Sequence, residues 1–169
     1  AVVKGMLPDY ELVGVYSRTA SKAEHIANKM RQHGKMCAAC HTLKELLELK
    51  PDYLVESASP AAMKELALPT LENGTSIITL SIGALADTSF YEKVKETAKA
   101  NDTRVYLVSG ATGGFDVLRT TSLMGNATAR FFNEKGPDAL KGTSVYKEEL
   151  QQERRIVFSG NATEAINVF

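Results

Sequence analysis

The strongest constraint on the fold is the regular alternation of short apolar runs with amphipathic segments between residues 11 and 108. The apolar runs have about five residues each and are rich in Val, Ile and Leu, which is typical of strands buried on both faces of a parallel sheet. Amphipathic segments of roughly ten residues separate them, as in βαβ units. The pattern predicts strands at residues 11–16, 35–39, 53–56, 76–80 and 104–108.

Helix-start signals precede the amphipathic segments. A Ser or Thr followed three residues later by Glu forms a capping box, in which each side chain satisfies a free backbone N–H at the helix start; Glu24 and Glu45 supply the carboxylates. Pro60 adds the favoured first helical residue, and Gly34 and Gly74 occupy positions where a left-handed residue ends a helix. These signals predict the following N-cap residues: Ser21, Thr42, Ser59 and Asp87.

Together these elements predict an α/β protein with a Rossmann-like, doubly wound parallel sheet. No strand followed by a glycine-rich G-x-G-x-x-G loop precedes residue 11, so we expect the sheet to lack its first strand and that loop, with residues 1–6 as the tail of a helix. After Gly113 the pattern changes, and strands of another kind are predicted at 128–135 and 154–158. We therefore expect an incomplete dinucleotide-binding domain at 1–113 and part of a second α/β domain at 114–169.

Composition narrows the class of partner. Lys and Arg together number 20, as do Asp and Glu, so the formal net charge of the 169 residues is zero and no strong field attracts nucleic acid or anionic lipid. No apolar run is long enough to cross a bilayer, and the start of the chain lacks the features of an export signal. We expect a soluble, cytoplasmic protein without a nucleic-acid or membrane partner.

Small and hydroxyl-bearing residues follow three of the predicted strands. In open α/β sheets, ligands bind beyond the carboxyl ends of the strands, and small residues let a flat ring approach the backbone. The last of the three, around Gly110, could instead cradle a phosphate, but it lacks the Lys-Ser/Thr pair of a P-loop. The predicted cofactor-binding residues at these corners are Ser57, Ala58, Ser59, Ser81, Gly83, Ala84, Gly110 and Ala111.

A fourth candidate follows the predicted strand at 11–16. The acidic residue that binds a ribose 2′-hydroxyl normally stands at this point, but here it is replaced by Ser17 and Arg18. A guanidinium forms charge-assisted hydrogen bonds with phosphate, so this pair suits a 2′-phosphate. The alternative is a solvated arginine in a loop, and the choice between NAD and NADP stays open.

Cys37, Cys40 and His41 form a C-x-x-C-H string that matches a haem-attachment sequence. Haem attachment also requires export and usually a second axial ligand, and zinc would need a further ligand. Cys37 also lies too early for a redox C-x-x-C at a helix start. We predict two structural cysteines and no metal site.

Four strings of the sequence resemble the L-aspartate dehydrogenase family, NAD(P)-dependent enzymes related to homoserine dehydrogenases. Their order and spacing match that family over nearly the whole chain. The strings are Leu54-Val55-Glu56-Ser57-Ala58-Ser59, Ser81-Ile82-Gly83-Ala84-Leu85-Ala86-Asp87, Ser109-Gly110-Ala111-Thr112-Gly113-Gly114-Phe115-Asp116-Val117-Leu118 and Phe158-Ser159-Gly160-Asn161-Ala162-Thr163-Glu164-Ala165-Ile166.

The resemblance implies an enzyme that oxidises L-aspartate to iminoaspartate with NAD or NADP, in support of NAD biosynthesis, and that forms a homodimer through its second domain. Ala111 matches the position that contacts the nicotinamide end of the cofactor. The family's catalytic His follows the segment at which this chain ends, so no catalytic residue is assigned. The alternatives are a homoserine-dehydrogenase-like oxidoreductase and a non-catalytic nucleotide-binding or interaction domain.

Lys135 is the predicted substrate-binding residue. It lies at the end of the strand predicted at 128–135, and a substrate with two carboxylates needs cationic partners. The alternative is an exposed lysine at a strand end without a functional role.

Overall fold

The computed structural model describes residues 2–110 and 113–169, except for the side chain of Val3. The chain divides into two compact units, Ala1–Ala111 and Thr112–Phe169. The division falls close to Gly113, where the change of sequence pattern places a domain boundary. The assignment of 1–113 and 114–169 as two functional domains stays a prediction.

Strands and helices alternate along the described part of the first unit. The strands are β1 Gly14–Tyr16, β2 Ala38–Cys40, β3 Tyr53–Glu56, β4 Ser76–Thr79 and β5 Val105–Leu107. The helices are α1 Ala20–Arg31, α2 Leu43–Glu48, α3 Pro60–Glu72 and α4 Thr88–Ala100, with 3-10 turns at Val2–Lys4 and Ile82–Ala86. Four of these strands lie within the runs predicted from the sequence, and β2 extends one residue beyond the run predicted at 35–39.

Every strand pairing among the described residues is parallel. β1 pairs with β2, and β3, β4 and β5 form a three-stranded sheet in that order. In the register of this sheet, Glu56 lies beside Thr79, which lies beside Leu107. Parallel strands joined through helices confirm the Rossmann-like α/β fold class.

The main hydrophobic core lies between the three-stranded sheet and the helices α3 and α4. Met63, Ala67 and Leu71 recur at four-residue spacing on one side of α3, and all three are fully buried. They pack with Ile77 of β4 and Val94 of α4. A second cluster joins α1 to the neighbouring segments through Ala27, Met30 and Cys37.

The opposite face of the three-stranded sheet is exposed. Side chains alternate between the two faces of a strand, so Leu54 and Glu56 of β3 point toward the core while Tyr53 and Val55 point away from it. Val55 is 63% exposed. The Tyr53 ring lies against the Tyr106 ring of β5, with 6.1 Å between their centroids. This face therefore presents apolar and aromatic side chains to solvent.

The predicted helix starts are confirmed at Thr42, Ser59 and Asp87. Each of these side chains accepts a hydrogen bond from the backbone N–H three residues later. The second half of the capping box predicted at Thr42 does not form, because the Glu45 carboxylate accepts from the N–H of His41 rather than from that of the N-cap Thr42.

The prediction at Ser21 is wrong. Helix α1 begins at Ala20, which places Ser21 inside the first turn. The cause is the turn before it: Ser17 Oγ accepts the N–H of Thr19 at 3.2 Å, and the Thr19 carbonyl accepts the N–H of Lys22, so the helix starts earlier.

The second unit has helices but no strand among its described residues. Helices α5 Phe115–Met124 and α6 Ala162–Val168 flank 3-10 turns at Pro137–Leu140 and Glu148–Gln151. The strands predicted at 128–135 and 154–158 are therefore wrong for this structure. A strand needs a hydrogen-bonding partner, and neither segment pairs with another in the described ranges; Phe132 and Ile156 are almost fully exposed.

A pair of serine variants tests the corrected helix starts. Ser59→Ala removes the acceptor for the Ala62 N–H, so we expect the free energy of unfolding to fall by about 1 kcal/mol. Ser21→Ala should leave it within about 0.5 kcal/mol, since alanine is the better helix former. Urea denaturation measures both variants. An equal loss at Ser21 would restore it as an N-cap.

Candidate functional site

Two corners at the carboxyl edge of the three-stranded sheet form the core of the candidate site. Residues 57–59 connect β3 to α3, and residues 81–84 follow β4. Because β3 and β4 are parallel neighbours, both corners lie at the same edge of the sheet. We refer to these two segments as the paired corners.

The side chain of Glu56, the last residue of β3, joins the paired corners. Its Oε1 accepts hydrogen bonds from the N–H groups of Ala58 (2.7 Å) and Ser59 (3.1 Å) and from the Ser81 hydroxyl (3.0 Å). Its Oε2 accepts from the Thr79 hydroxyl at 2.7 Å and the Ser81 N–H at 3.3 Å. One carboxylate therefore fixes both corners through donors from each corner and from Thr79 at the end of β4.

Glu56 is a buried anion held by neutral groups. The residue is 2% exposed, and no ion pair among the described residues includes it. Burial raises the pKa of its carboxyl, but the hydrogen bonds from Thr79, Ala58, Ser81 and Ser59 outweigh burial and hold the pKa below its ordinary value. The side chain is therefore ionised near neutral pH.

The same hydrogen bonds determine what the first corner can bind. The N–H groups of Ala58 and Ser59 at the start of α3 already donate to Glu56, and the Ala62 N–H donates to Ser59 Oγ at 3.1 Å. A phosphate would have to compete for these donors beside a buried negative charge. The corner therefore suits a neutral or cationic flat group better than an anion.

The second corner is anchored by Asp87, the N-cap of α4. The Asp87 carboxylate accepts the Phe90 N–H at 3.2 Å and pairs with Lys64 Nζ of α3 at 2.8 Å. The hydrogen bonds from Lys64, Ser89 and Phe90 hold the pKa of Asp87 well below its ordinary range. Between β4 and Asp87, the 3-10 turn Ile82–Ala86 buries Ala84 against the core, whereas Gly83 is exposed.

The third predicted corner lies beyond β5, next to the second. The Val108 N–H donates to the Thr79 carbonyl at 3.1 Å, which keeps the end of β5 against the end of β4. Gly110 has φ +61°, a left-handed conformation that favours glycine. Ala111 lies outside the described residues, so its role at the cofactor stays a prediction.

Ser17 and Arg18 follow the end of β1, which is a strand of the two-stranded sheet. The Ser17 hydroxyl is occupied by the Thr19 N–H. Arg18 is exposed, and the ion pairs found in the described ranges do not include it. No described hydrogen bond links these two residues to the paired corners, so their contact with a cofactor stays a prediction.

Lys135 is exposed in the second unit and does not end a strand, since the strand predicted before it is absent there. The structural argument that singled it out is therefore wrong, and its contact with substrate stays a prediction.

Cys37 and Cys40 are free, buried thiols. Burial raises the pKa of both, which makes them poor nucleophiles and poor metal ligands. Within residues 2–110 and 113–169, no cluster of His, Cys, Asp and Glu side chains could hold a metal ion. In the same ranges no helix has the length and apolar character needed to span a bilayer.

Glu56 and Thr79 are the residues of the site that sequence reasoning missed. Period-two alternation within β3 places Glu56 on the buried side with Leu54, and an acid at a buried strand position needs hydrogen-bond partners. That signal was available in the sequence. The identity of the partners was not, because they lie on the next strand.

Parallel βαβ units with small residues at the carboxyl edge define a nucleotide-binding α/β domain. Residues 3–108 match the family described as "Homoserine dehydrogenase, NAD binding domain". The chain belongs to this family, which confirms the expected cofactor class, NAD or NADP.

Curated relatives confirm the resemblance drawn from the four strings. The L-aspartate dehydrogenase of Methanocaldococcus jannaschii is 32% identical over 173 residues, which cover 99% of this chain and 62% of the relative. That of Acinetobacter baumannii is 36% identical over 124 residues, 70% of this chain and 46% of the relative. The chain thus spans less than two thirds of the length of these relatives.

A crystal structure of aspartate dehydrogenase from Thermotoga maritima is also similar. It is 28% identical with a TM-score of 0.46, and the match covers 66% of this chain and 51% of that one.

The ionised Glu56 side chain predicts a loss of stability in acid. Its pKa is lowered by folding, so its contribution is complete above the unfolded value of 4.5 and is lost as the pH falls through the lower folded value. Glu56→Gln should reduce the free energy of unfolding by roughly 1–3 kcal/mol at pH 7, because the NH2 group that replaces Oε2 cannot accept the hydrogen bond of the buried Thr79 hydroxyl.

The difference between wild type and Glu56→Gln should narrow as the carboxyl is protonated below pH 4.5. Urea denaturation at pH 7 and at progressively lower pH measures it. A difference that does not depend on pH would contradict an ionised Glu56.

Proposed function

We propose that the protein containing this chain is an NAD(P)-dependent L-aspartate dehydrogenase, an amino-acid dehydrogenase acting on a CH–NH2 group. The observation that carries the proposal is the pair of small-residue corners joined by Glu56 at the carboxyl edge of an NAD-binding sheet. Relatives named L-aspartate dehydrogenase match 99% and 70% of the chain, which supports the same activity.

The residues present fit the ring end of a nicotinamide dinucleotide. Ser57, Ala58 and Ser59 form one side of the proposed wall, and Ser81 and Gly83 form the other. Ala84, which the sequence also predicts to contact the cofactor, is 1% exposed and packs against the core beneath this wall, so its side chain supports the wall rather than lining it. Gly110 extends the proposed wall beyond β5, and Ala111, outside the described residues, is proposed as a further contact. The small side chains allow close approach of a flat ring, and the occupied N–H groups of Ala58 and Ser59 disfavour phosphate there.

When bound, the cofactor supplies a hydride acceptor for the Cα of aspartate. The task of this chain is to hold the ring in a fixed position and to exclude water on that side. Five hydrogen bonds to one buried carboxylate suit that task, because they leave the backbone of the paired corners little freedom. No described residue is assigned as the base that takes the ammonium proton.

A homoserine-dehydrogenase-like oxidoreductase is the second candidate function, favoured by the description of the matching family. The third candidate, which the sequence also allows, is a nucleotide-binding or interaction domain without turnover. With the first function we also propose a homodimer in the cytoplasm, with Lys135 as a partner for a substrate carboxylate.

Substrate choice separates the candidates. The full-length gene product is expected to reduce NAD or NADP with L-aspartate and to leave both unchanged with L-homoserine, followed as absorbance of the reduced cofactor. Turnover with homoserine alone would favour the second candidate. Dinucleotide binding without turnover of either substrate would favour the non-catalytic domain.

Arg18→Ala tests the proposed contact with a 2′-phosphate. We expect the variant to raise the dissociation constant of NADP by about tenfold, because a charge-assisted hydrogen bond is lost. The dissociation constant of NAD should stay within about twofold of wild type. Isothermal titration of both dinucleotides measures the effect. Arg31→Ala is the matched control, since Arg31 lies at the far end of α1 and forms only an exposed pair with Glu24. Equal losses for NAD and NADP would dismiss the role of Arg18.

A further inference from the structure

The charge of Glu56 goes beyond what the architecture of the corners requires. A neutral amide oxygen could also accept the N–H groups of Ala58 and Ser59, and a buried anion without a cationic partner is costly. Here the carboxylate is 2% exposed, its five donors are all neutral, and it takes part in no ion pair of the described residues. Lys64 of α3 already pairs with Asp87, at 2.8 Å.

We propose that Glu56 is a specificity-determining residue that favours the oxidised, cationic nicotinamide over the reduced, neutral form at the paired corners. The inference rests on the proposed function, since it requires the ring end of the dinucleotide against residues 57–59 and 81–84. The ring carries one positive charge when oxidised and none when reduced. An uncompensated negative charge behind the wall therefore distinguishes the two forms without touching them.

The expected size follows from Coulomb's law. Two unit charges about 10 Å apart, at the effective dielectric of protein sites, interact strongly enough to change an equilibrium constant about tenfold. The hydrogen bonds to Glu56 redistribute its charge but do not cancel it. The dipoles of both corners point toward the carboxylate, because every donor belongs to the corners or to the adjacent Thr79.

Glu56→Gln separates the charge from the hydrogen bonds. The amide oxygen can still accept from Ala58 and Ser59, and its NH2 group can donate to the Thr79 hydroxyl, which already accepts the Ser81 N–H at 2.9 Å. Thr79→Val is the matched control. It removes the 2.7 Å hydrogen bond from the buried hydroxyl to Oε2 but keeps the carboxyl group and its four other hydrogen bonds, from Ala58, Ser59 and Ser81.

The experiment measures the dissociation constants of the oxidised and reduced dinucleotide for the full-length gene product, by titration without substrate. We expect Glu56→Gln to raise the ratio of the oxidised to the reduced dissociation constant about tenfold. Thr79→Val should leave this ratio within about twofold of wild type, whatever it does to stability. A further measurement uses the unmodified protein, in which the oxidised form should bind at least as tightly as the reduced form.

Several outcomes would overturn the inference. If Glu56→Gln weakens both forms equally, the residue acts only through the shape of the corners. If Thr79→Val changes the ratio as much as Glu56→Gln, the ratio follows geometry rather than charge. Wild type that strongly prefers the reduced form would also contradict it, and wild type that binds neither form would overturn the proposed function as well. If Glu56→Gln shifts the ratio of dissociation constants as expected but the protein does not turn over aspartate, the inference about Glu56 holds and only the proposed activity is wrong.

Discussion

The candidate site depends on one buried carboxylate that accepts five hydrogen bonds. Removing a charged group from water is costly, and only a complete set of donors offsets that cost. Because the donors of Glu56 come from both corners and from the adjacent strand β4, satisfying the charge also fixes the relative position of β3 and β4 at their carboxyl ends. The hydrogen bonds that fix this edge of the sheet are thus also the ones that favour the ionised side chain.

The hydrogen bonds to Glu56 also limit what the first corner can bind. Phosphate recognition in α/β domains uses free N–H groups at a helix start. At the start of α3 three such groups are occupied, those of Ala58 and Ser59 by Glu56 and that of Ala62 by Ser59. The first corner is therefore less suited to a phosphate than to a neutral or cationic group.

Local signals in the sequence predicted most of the first unit. Capping depends on a side chain and an N–H three residues away, so Thr42, Ser59 and Asp87 were predictable. At α1 both Thr19 and Ser21 could cap the helix. The turn in which Ser17 accepts the Thr19 N–H places the N-cap at Thr19, so Ser21 lies inside the helix. The strands predicted in the second unit depend on partners distant in sequence, which alternation alone does not supply.

The site was predicted less completely, for the same reason. Small residues after each strand marked the corners, because that pattern is local. Glu56 was visible as an acid on the buried side of a strand, but its partners Thr79 and Ser81 lie 23 and 25 residues away. Parallel pairing brings them together, and no spacing rule within a single segment describes that contact.

The exposed aromatic face of the three-stranded sheet has a practical consequence. Parallel sheets in stable proteins are shielded on both faces, whereas here Tyr53, Val55 and Tyr106 are open to water. We expect a sample consisting of these 169 residues alone to self-associate through this face. Its apparent molecular mass, measured by light scattering, would rise with protein concentration. The lattice contacts of its crystals would form largely through this surface.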